Sequence, residues 1–482
     1  MRIYKKISSA IGKVRHKVIA TMLAIVLPAP TWASDWTLGA SITASETYTD
    51  NVTLSTASEA KSDWITAVTP TLTAKKNGAR FKADARYSMQ NLFYAQDAAR
   101  NKTYHQLNAR ANTELFENEI YLDTTASISQ AAISPLGASG VDNASATGNL
   151  TNVQALTVSP YWIHRFGSTA KLNARYTISD VRNSNSTLAS STNNSTNVSL
   201  ASGSAFGRVS WGLNFSDQTV DYQDRSDASF TTTSANLGYL VSTRVKITGT
   251  VGTENNVYAS SSGAATGGSF WNTAVSWAPS TRTSLDLGVG HRYYGQSWNM
   301  AFKTRGIYSE WTADYNERVT TSNSQAGGVI PTTANDPTKI QTNQVFLDKR
   351  FGTGFTWKKG KSNLSFSAYR SVQEALETGQ LSSVLNNGAF QNYNTIKQLG
   401  FNAGWIWQLT PLMNSSVTGG VSRSSFPDLS REDTTTSLQI GLNRTFSPRL
   451  SGGVSLRRQT RDSNQNVDYT ENALSCSVTY AF

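Results

Sequence analysis

The last eleven residues constrain the fold more than any other stretch. Residues 472–482 read NALSCSVTYAF, in which every second residue is apolar and the residues between are small or polar. Successive side chains of a β-strand point to opposite faces, so this segment predicts a strand with one wholly apolar and one wettable face. Such a strand suits a wall between lipid and water, and the edge strand of a soluble β-sandwich is the alternative. The apolar positions are Leu474, Cys476, Val478, Tyr480 and Phe482.

The same residues resemble the C-terminal recognition signal of bacterial outer-membrane barrels, which typically end in Phe with apolar residues at alternate positions before it. The resemblance implies that this strand closes a barrel and that the barrel-assembly machinery recognises it. The residues expected to carry this signal are Leu474, Val478, Tyr480 and Phe482.

Residues 1–33 have the pattern of a secretory signal peptide. A basic region with six Lys and Arg precedes the apolar run Val18 to Leu27, and Thr31-Trp32-Ala33 supplies small residues where a signal peptidase cleaves. A membrane-spanning anchor needs about 20 apolar residues, and Pro28 interrupts this run well before that length. We therefore expect residues 1–33 to be removed on export.

Composition excludes several classes of protein. Removing the six basic residues of the signal from the 43 in the chain leaves 37 against 32 acidic residues, so the basic pI does not predict nucleic-acid binding. Mean hydropathy is −0.37, and no helix-length apolar segment follows the signal, which excludes a multi-helix membrane protein. A β-barrel is compatible with such a composition, because its strands alternate between lipid-facing and water-facing residues.

Alternation of this kind recurs along the whole chain, separated by turn residues such as Asn77-Gly78, Gly167-Ser168 and Lys359-Gly360-Lys361. The pattern predicts an all-β fold: a transmembrane up-and-down antiparallel β-barrel of about 22 strands, with roughly 18 to 22 as the range. We expect one barrel domain over residues 34–482 with no plug domain before it. Outer-membrane lipid would surround it.

The connections alternate in length, which predicts two different ends. Those after even-numbered strands are short, whereas those after odd-numbered strands are mostly long and rich in Ser, Thr, Asn and Gly. Outer-membrane barrels have short periplasmic turns and long extracellular loops, so both termini are expected in the periplasm of a Gram-negative bacterium. The longest extracellular loops are predicted near 130–151, 180–195, 254–269, 319–343 and 374–391.

Two stretches resemble one particular family. Residues 41–54 (SITASETYTDNVTL), followed by Val68-Thr-Pro-Thr-Leu72 and His105-Gln-Leu107, are similar to the outer-membrane proteins associated with the PEP-CTERM and exosortase system. The resemblance implies a barrel that takes part in the export of exopolysaccharide or another envelope polymer, with export components as partners. It carries no catalytic or binding residues onto this chain.

Signals for enzymatic chemistry are sparse, so we expect no catalytic residues, no metal site and no cofactor. Outside the signal there are three histidines, His105, His164 and His291, far apart in sequence, and no P-loop or His-Glu-x-x-His motif is present. A hydrolase that pairs His105 or His291 with an Asp at the loop end is an alternative. Single histidines on strand ends are usually structural, which favours the non-enzymatic interpretation.

The water-facing phase of the predicted strands holds more basic than acidic residues. A basic channel lining concentrates anions and lowers their barrier to entry, although such charges also pair across strands and keep a wide lumen hydrated. The predicted lining residues are Arg80, Lys82, Asp84, Arg86, Arg110, Glu114, Asp123, Lys171, Arg175, Arg208, Lys246, Arg292, Arg350 and Arg457.

These observations predict an outer-membrane pore, with export of exopolysaccharide or a related polymer as the leading interpretation. A general or anion-preferring diffusion porin is the second, and a non-conducting surface scaffold or adhesin is the third. A barrel of about 22 strands has a lumen too wide for side chains to fill. We therefore expect an infolded loop, charged side chains, flattening or a partner to narrow it.

Overall fold

The computed structural model describes residues 36–185, 188–223, 226–258, 266–326, 344–376 and 394–482. The predicted signal peptide lies outside these ranges. Within them the chain forms 22 strands, one short α-helix, α1 (Ser322–Ala326), and three single-turn 3-10 helices. The strands are β1 (Trp36–Thr49), β2 (Asp63–Asn77), β3 (Phe81–Tyr94), β4 (Lys102–Phe116), β5 (Ile120–Ala132), β6 (Leu150–Phe166), β7 (Ala170–Asn183), β8 (Ser191–Ser202), β9 (Val209–Tyr222), β10 (Ala228–Ser242), β11 (Val245–Val257), β12 (Gly268–Ser280), β13 (Thr283–Arg292), β14 (Gly295–Arg305), β15 (Ser309–Thr321), β16 (Val345–Lys359), β17 (Ser362–Ala375), β18 (Thr395–Thr410), β19 (Met413–Phe426), β20 (Arg431–Ser447), β21 (Leu450–Ser463) and β22 (Tyr469–Ala481).

Each strand pairs antiparallel with the next, and β22 pairs antiparallel with β1, so the sheet closes into a barrel. The predicted barrel and its strand number are confirmed. Closure uses side chains as well as backbone, because the hydroxyl groups of Thr43 and Thr479 lie 2.8 Å apart across the seam. The Phe482 backbone N–H donates to the Ala40 carbonyl at 3.0 Å. The terminal strand therefore joins the two ends of the sheet, and closure leaves no free strand edge.

The register separates an outward and an inward face. Ile42 lies opposite Tyr480 and Ala44 opposite Val478, so the apolar residues of the terminal strand share the outward face with those of β1. Leu38 on this face is 73% exposed, and the band of exposed apolar side chains continues around the barrel. Examples are Trp64, Leu72, Leu213, Phe215, Leu237, Trp271, Val275, Trp298, Phe401, Leu438, Leu442 and Leu456.

One end of the barrel carries the turns from each even strand to the next odd strand, and these span two to six residues. Several require left-handed backbone, as at Asn118 (φ 59°), Gly167 (φ 57°) and Gly360 (φ 57°). Asn and Gly adopt this conformation at the lowest cost, which explains the turn residues of the sequence. Both β1 and β22 reach this end, which we call the short-turn end.

The opposite end, the long-loop end, has connections of very different lengths. Residues 133–149 join β5 to β6, whereas residues 293–294 join β13 to β14 in a two-residue turn. The strands extend further into the predicted loops than their alternation indicates; β8, for example, begins at Ser191 inside the predicted loop 180–195. Much of the predicted loops 254–269, 319–343 and 374–391 lies outside the described residues.

Strands that are not neighbours in the sheet contact each other at the long-loop end. Val220 and Tyr222 of β9 and Ala228 of β10 form one buried cluster with Val345 of β16. The helix α1 follows β15 and reaches the inward face of β8, where the Asn323 side-chain amide donates to the Ser191 hydroxyl at 2.9 Å. These contacts cross the barrel mouth and narrow it on the side of β8–β10 and β15–β16. Across the described ranges no helix is long and apolar enough to span a membrane.

Candidate functional site: the constricted lumen

Residues 133–149, which we call the inner loop, run along the inward face of the barrel from β5–β6 across β1–β4 to β20–β22. On the near side the Tyr94 hydroxyl donates to the Ala144 carbonyl at 2.9 Å. The backbone N–H of Ala146 donates to the Val52 carbonyl at 2.8 Å. Ala144 also joins a buried apolar cluster with Val52, Ile65 and other residues at the ends of β2–β4. The connection is therefore a packed element of the lumen.

On the far side the inner loop is held by β21, where three long polar side chains point inward at every second position. The Gln459 side-chain amide donates to the Ser139 carbonyl at 2.8 Å. The Arg461 guanidinium donates to the carbonyl oxygens of Gly137 at 3.0 Å and Leu136 at 3.1 Å. These bonds satisfy loop carbonyls that would otherwise be buried without partners, which costs about 1–3 kcal/mol for each group.

Arg457, the third of these side chains, links the loop to the barrel wall. Its guanidinium pairs with Asp142 of the inner loop and with Glu471 of β22, at 2.9 Å for the second pair. The side chains of Arg457 and Glu471 are 7% and 1% exposed. Removing one member of a buried ion pair leaves the other charge uncompensated and costs about 3–5 kcal/mol. The pair therefore fixes the position of the loop strongly. We call Arg431, Asp433, Arg457, Gln459, Arg461, Tyr469 and Glu471 together the latch.

The outermost part of the latch is centred on Asp433, which pairs with Arg431 at 3.0 Å and with Arg461. Asp433 lies beyond the apolar band, since the outward residues beside it are Thr434 and Thr436. Burial alone would raise the pKa of this carboxyl. Hydrogen bonds from Ser463 and Arg431 and the charge of Arg461 outweigh burial and hold the pKa below its usual value of 3.8. Asp433 is therefore charged at neutral pH.

Tyr469 completes the latch at the level of Asp433, and its hydroxyl accepts a hydrogen bond from the Gln459 side chain at 2.7 Å. Burial raises the pKa of Tyr469 to about 12. The hydroxyl is therefore neutral at physiological pH and donates to the Ser139 carbonyl at 3.3 Å.

Beyond the tip of the inner loop at Val141, the inward face of β16–β20 carries small, uncharged side chains. We call this face the neutral wall. A recess of about 570 Å³ separates it from Val141 and Arg457. Because these side chains are small, the lumen stays open beside the neutral wall at the level where the inner loop fills the opposite side of the lumen. The neutral wall comprises Gly354, Thr356, Ser365, Ser367, Asn402, Gly404, Thr418, Gly420, Ser437 and Gln439.

The opposite arc, β2–β7, carries seven basic side chains on its inward face towards the short-turn end, and we call it the basic wall. Cross-strand neighbours alternate in sign in part of it, because Asp84 lies opposite both Lys75 and Arg110. Arg175 pairs with Asp123 at 2.8 Å. The basic residues are Lys75, Lys82, Arg86, Arg110, Arg165, Lys171 and Arg175, and the three acidic residues among them are Asp84, Glu114 and Asp123.

Three predicted lining residues lie in or beside turns at the short-turn end. Arg80 lies in a turn at the short-turn end and pairs with Glu117 at 2.8 Å, where both side chains are exposed. Glu114 accepts a hydrogen bond from the Asn118 backbone N–H at the next turn. Arg208 also lies in a turn, beside the start of β9.

The remaining lining residues are dispersed around the barrel. Lys246 is inward on β11, and Arg292 is inward on β13, where it pairs with Glu254 at 2.6 Å. Arg350 is inward on β16, opposite Ser371. Arg457 departs from the expected open lining, because the inner loop covers it. The sequence does not reveal that a loop more than 300 residues away in the chain supplies its partner.

The histidines lie in the outward phase. His105 is opposite Met89, and its ring stacks on that of Tyr87 with centroids 6.0 Å apart. His164 contacts Phe166 and Trp162 with centroids 4.7 and 5.5 Å away, and His291 lies opposite Trp271. This placement separates them from the inward carboxylates. Within the described residues no group of three or more His, Cys, Asp or Glu could hold a metal ion.

Sequence reasoning missed the inner loop and the latch. The available signal was the spacing Arg457-x-Gln459-x-Arg461, which places three long polar side chains on one face of one strand. Their place in the alternation shows that they point inward, but the spacing does not identify the segment of the chain that covers them.

No protein-family model and no curated protein matches this sequence. Several solved structures are similar. The siderophore receptor PirA from Pseudomonas aeruginosa is 9% identical, with a TM-score of 0.44 over 92% of this chain and 80% of that chain. OpdK from Pseudomonas aeruginosa, solved with vanillate, is 11% identical, with a TM-score of 0.37 over 92% and 99%. OccAB3 from Acinetobacter baumannii is 8% identical, with a TM-score of 0.36 over 92% and 99%. Identities and TM-scores as low as these do not indicate the function of this chain.

Proposed function

We propose that the protein is an outer-membrane pore of a Gram-negative bacterium, and that it passes anionic solutes between the inner loop and the neutral wall. The observation that carries the proposal is a closed barrel with an exposed apolar band outside and a row of basic side chains inside. Only closed barrels and helices satisfy their backbone hydrogen bonds within a bilayer, and the exposed band matches a lipid environment.

The orientation follows from the unequal ends. Short turns at the end that holds both β1 and β22 favour a periplasmic position for that end, with the long connections outside the cell. Solutes would then meet the narrowed mouth and the inner loop first, and the basic wall afterwards. A solute leaving toward the periplasm therefore passes the region of positive potential last.

Anion preference follows from the charges of the basic wall. Seven basic and three acidic side chains on one arc of a low-dielectric cylinder give a positive potential that attracts anions and repels cations. The narrowing by the inner loop brings passing solutes closer to the walls, where this potential acts most strongly.

Single-channel current through the refolded protein in a planar bilayer tests the proposal, with the reversal potential measured under a salt gradient. We expect steady openings with an anion-selective reversal potential. A silent barrel that is correctly folded, as judged by heat-modifiable migration, would contradict the pore. Cation selectivity would contradict the role of the basic wall.

Export of exopolysaccharide or another envelope polymer is a second proposal. It is favoured by the resemblance of residues 41–54 to proteins of the PEP-CTERM system, and it requires a lumen wide enough for a polymer chain. Conductance in the presence of polyethylene glycols of graded size distinguishes the two. Exclusion of all but the smallest polymers would favour a diffusion pore for small anions, whereas free entry of large polymers would favour the conduit.

A further inference from the structure

The basic wall contains a recess of about 540 Å³ near the short-turn end of β2–β7. This recess is separate from the one between the neutral wall and Val141, because the two recesses share no lining residue. Its charged lining consists of Lys75, Lys76, Lys82, Arg110 and Arg175 with the carboxylates Asp84 and Asp123. The polar, uncharged lining comes from Asn77, Asn112, Thr125, Thr157 and Ser159.

One cation of this recess is fixed before any solute arrives. The guanidinium carbon of Arg175 lies 3.9 Å from the centre of the Tyr161 ring, and that ring stacks on Tyr121 with centroids 5.0 Å apart. Asp123 accepts a hydrogen bond from Arg175 at 2.8 Å and another from Asn112 at 2.5 Å. A guanidinium that is held by a ring and a carboxylate loses little conformational entropy when it binds an anion. Its side chain remains 34% exposed, so a solute can reach it.

Two further cations of the recess, Lys82 and Arg110, form no ion pair within the described residues. Lys82 and Arg110 are exposed, and within the described part of the chain neither has a carboxylate within 4.0 Å. Lys76 is in the outward phase, opposite Trp36, with its ammonium 6.0 Å from the centre of that ring, so it is left out of the charge balance. Because Asp123 is paired with Arg175, only Asp84 remains to balance Lys75, Lys82 and Arg110. The recess therefore has an excess of about two positive charges at neutral pH.

We propose that this recess is a binding subsite for a small dianionic solute, such as a dicarboxylate or a phosphate. Two uncompensated cations match two negative charges, Arg175 and Arg110 offer planar forks suited to carboxylate or phosphate oxygens, and the amides and hydroxyl groups serve a polar solute body. The assignment rests on the proposed pore, which brings the solute to the recess. A dissociation constant on the order of 1 mM is expected, since a subsite in a pore must also release its solute.

Calorimetric titration of the full-length protein in detergent micelles tests the subsite, with succinate and inorganic phosphate as dianion probes and acetate as a monoanion. We expect both dianions to bind at least about tenfold more tightly than acetate, because their second negative charge interacts with the second uncompensated cation. A tenfold difference in affinity corresponds to about 1.4 kcal/mol. Succinate binding alone would assign two separated carboxylates as the ligand chemistry. Phosphate binding alone would assign a single dianionic centre.

The double variant that combines Lys82→Ser with Arg110→Ser should bind dianions at least about tenfold more weakly than the wild type. The matched control is the pair Arg244→Ser and Arg282→Ser, which removes two exposed cations from turns at the same end but outside the recess. Equal losses in both pairs would mean that only the overall field attracts anions, and this would overturn the subsite. Lys82 and Arg110 are exposed, so folding should be unaffected, and Arg110→Lys should retain part of the binding.

The two proposals fail separately. Dianion binding by a barrel that carries no current would support the subsite and contradict the pore. An anion-selective current from a protein that binds dianions no better than acetate would support the pore and overturn the subsite.

Discussion

The basic wall and the neutral wall face the same lumen but differ in nearly every physical respect. The basic wall carries long charged side chains, of which Arg175 is fixed on Tyr161 while Arg110 is exposed. The neutral wall carries Gly, Ser, Thr and amide side chains, and its nearest charged neighbour in the recess is Arg457. One wall therefore supplies charge and the other supplies space.

The difference shows how the described part of the chain divides one lumen between a charged side and an open side. The inner loop occupies the lumen between the arcs, and the latch fixes its position. Beside the neutral wall, Gly400 makes room for a neighbouring side chain, because a Cβ atom there would collide with the ring of Tyr369. We expect changes to the loop to alter pore size, and changes to the walls to alter charge selectivity.

The largest effect is expected from breaking the latch with Arg457→Ala and Arg461→Ala. These changes leave Glu471 buried without its partner cation, at a cost of about 3–5 kcal/mol, and leave Asp433 paired with Arg431 alone. The inner loop should leave the wall, and single-channel conductance should rise severalfold. Arg458→Ala on the outward face of the same strand is the control. Unchanged conductance in a folded double variant would mean that the inner loop does not limit the pore.

A second effect, on selectivity, is expected from Lys82→Ser, Arg86→Ser and Arg110→Ser together. Removing three exposed cations leaves the basic wall only weakly positive, so the permeability ratio of anion to cation should fall towards one. Reversal potential under a salt gradient measures it. Ser365→Ala, Ser367→Ala and Thr418→Val on the neutral wall are the matched control and should leave the ratio unchanged. If the control changes the ratio as much, the contrast between the walls is wrong.

A smaller effect is expected from adding charge to the neutral wall with Ser367→Lys and Thr418→Lys. Two new cations facing the recess should raise the anion preference and lower the conductance slightly by occupying space. The uncharged variants Ser367→Gln and Thr418→Gln separate the two consequences, since they occupy space without charge. An unchanged reversal potential in the lysine variant would place the solute path away from the neutral wall.

The smallest effect is expected from pH acting on Asp433. Because its pKa is held below 3.8, the native carboxylate binds fewer protons than the unfolded one near that pH. Its stabilisation of the latch is therefore complete above the unfolded pKa and is lost as pH falls through the lower native value. Conductance should be constant from pH 7 to about 4 and should rise only below that.

Asp433→Asn provides the comparison for this pH effect. The variant should already show the higher conductance at pH 7, because its side chain cannot pair with Arg431 and Arg461 as a charge. A wild-type transition near pH 6 would contradict the assignment, since it would require a group with a raised pKa.

Much of the barrel was predictable from local pattern. The alternation in residues 472–482 placed Cys476 outward, as observed, and the turn residues located the short connections. Strand ends were less predictable, because β1 continues to Thr49 through polar residues whose alternation is weak. The inward phase of Lys82, Arg86 and Arg110 was readable from alternation alone, whereas the pairing of Arg175 with Tyr161 was not.

The sequence by itself determined the two faces of most strands, an approximate strand number of about 22 and the shared end at which β1 begins and β22 ends. These follow from a period of two and from local turn chemistry, which act over a few residues. Only the tertiary structure decided where the inner loop rests and which lumen charges it covers. Arg457 and Asp142 are 315 residues apart in the chain, and a contact at such a separation depends on the closure of the whole barrel rather than on any local pattern.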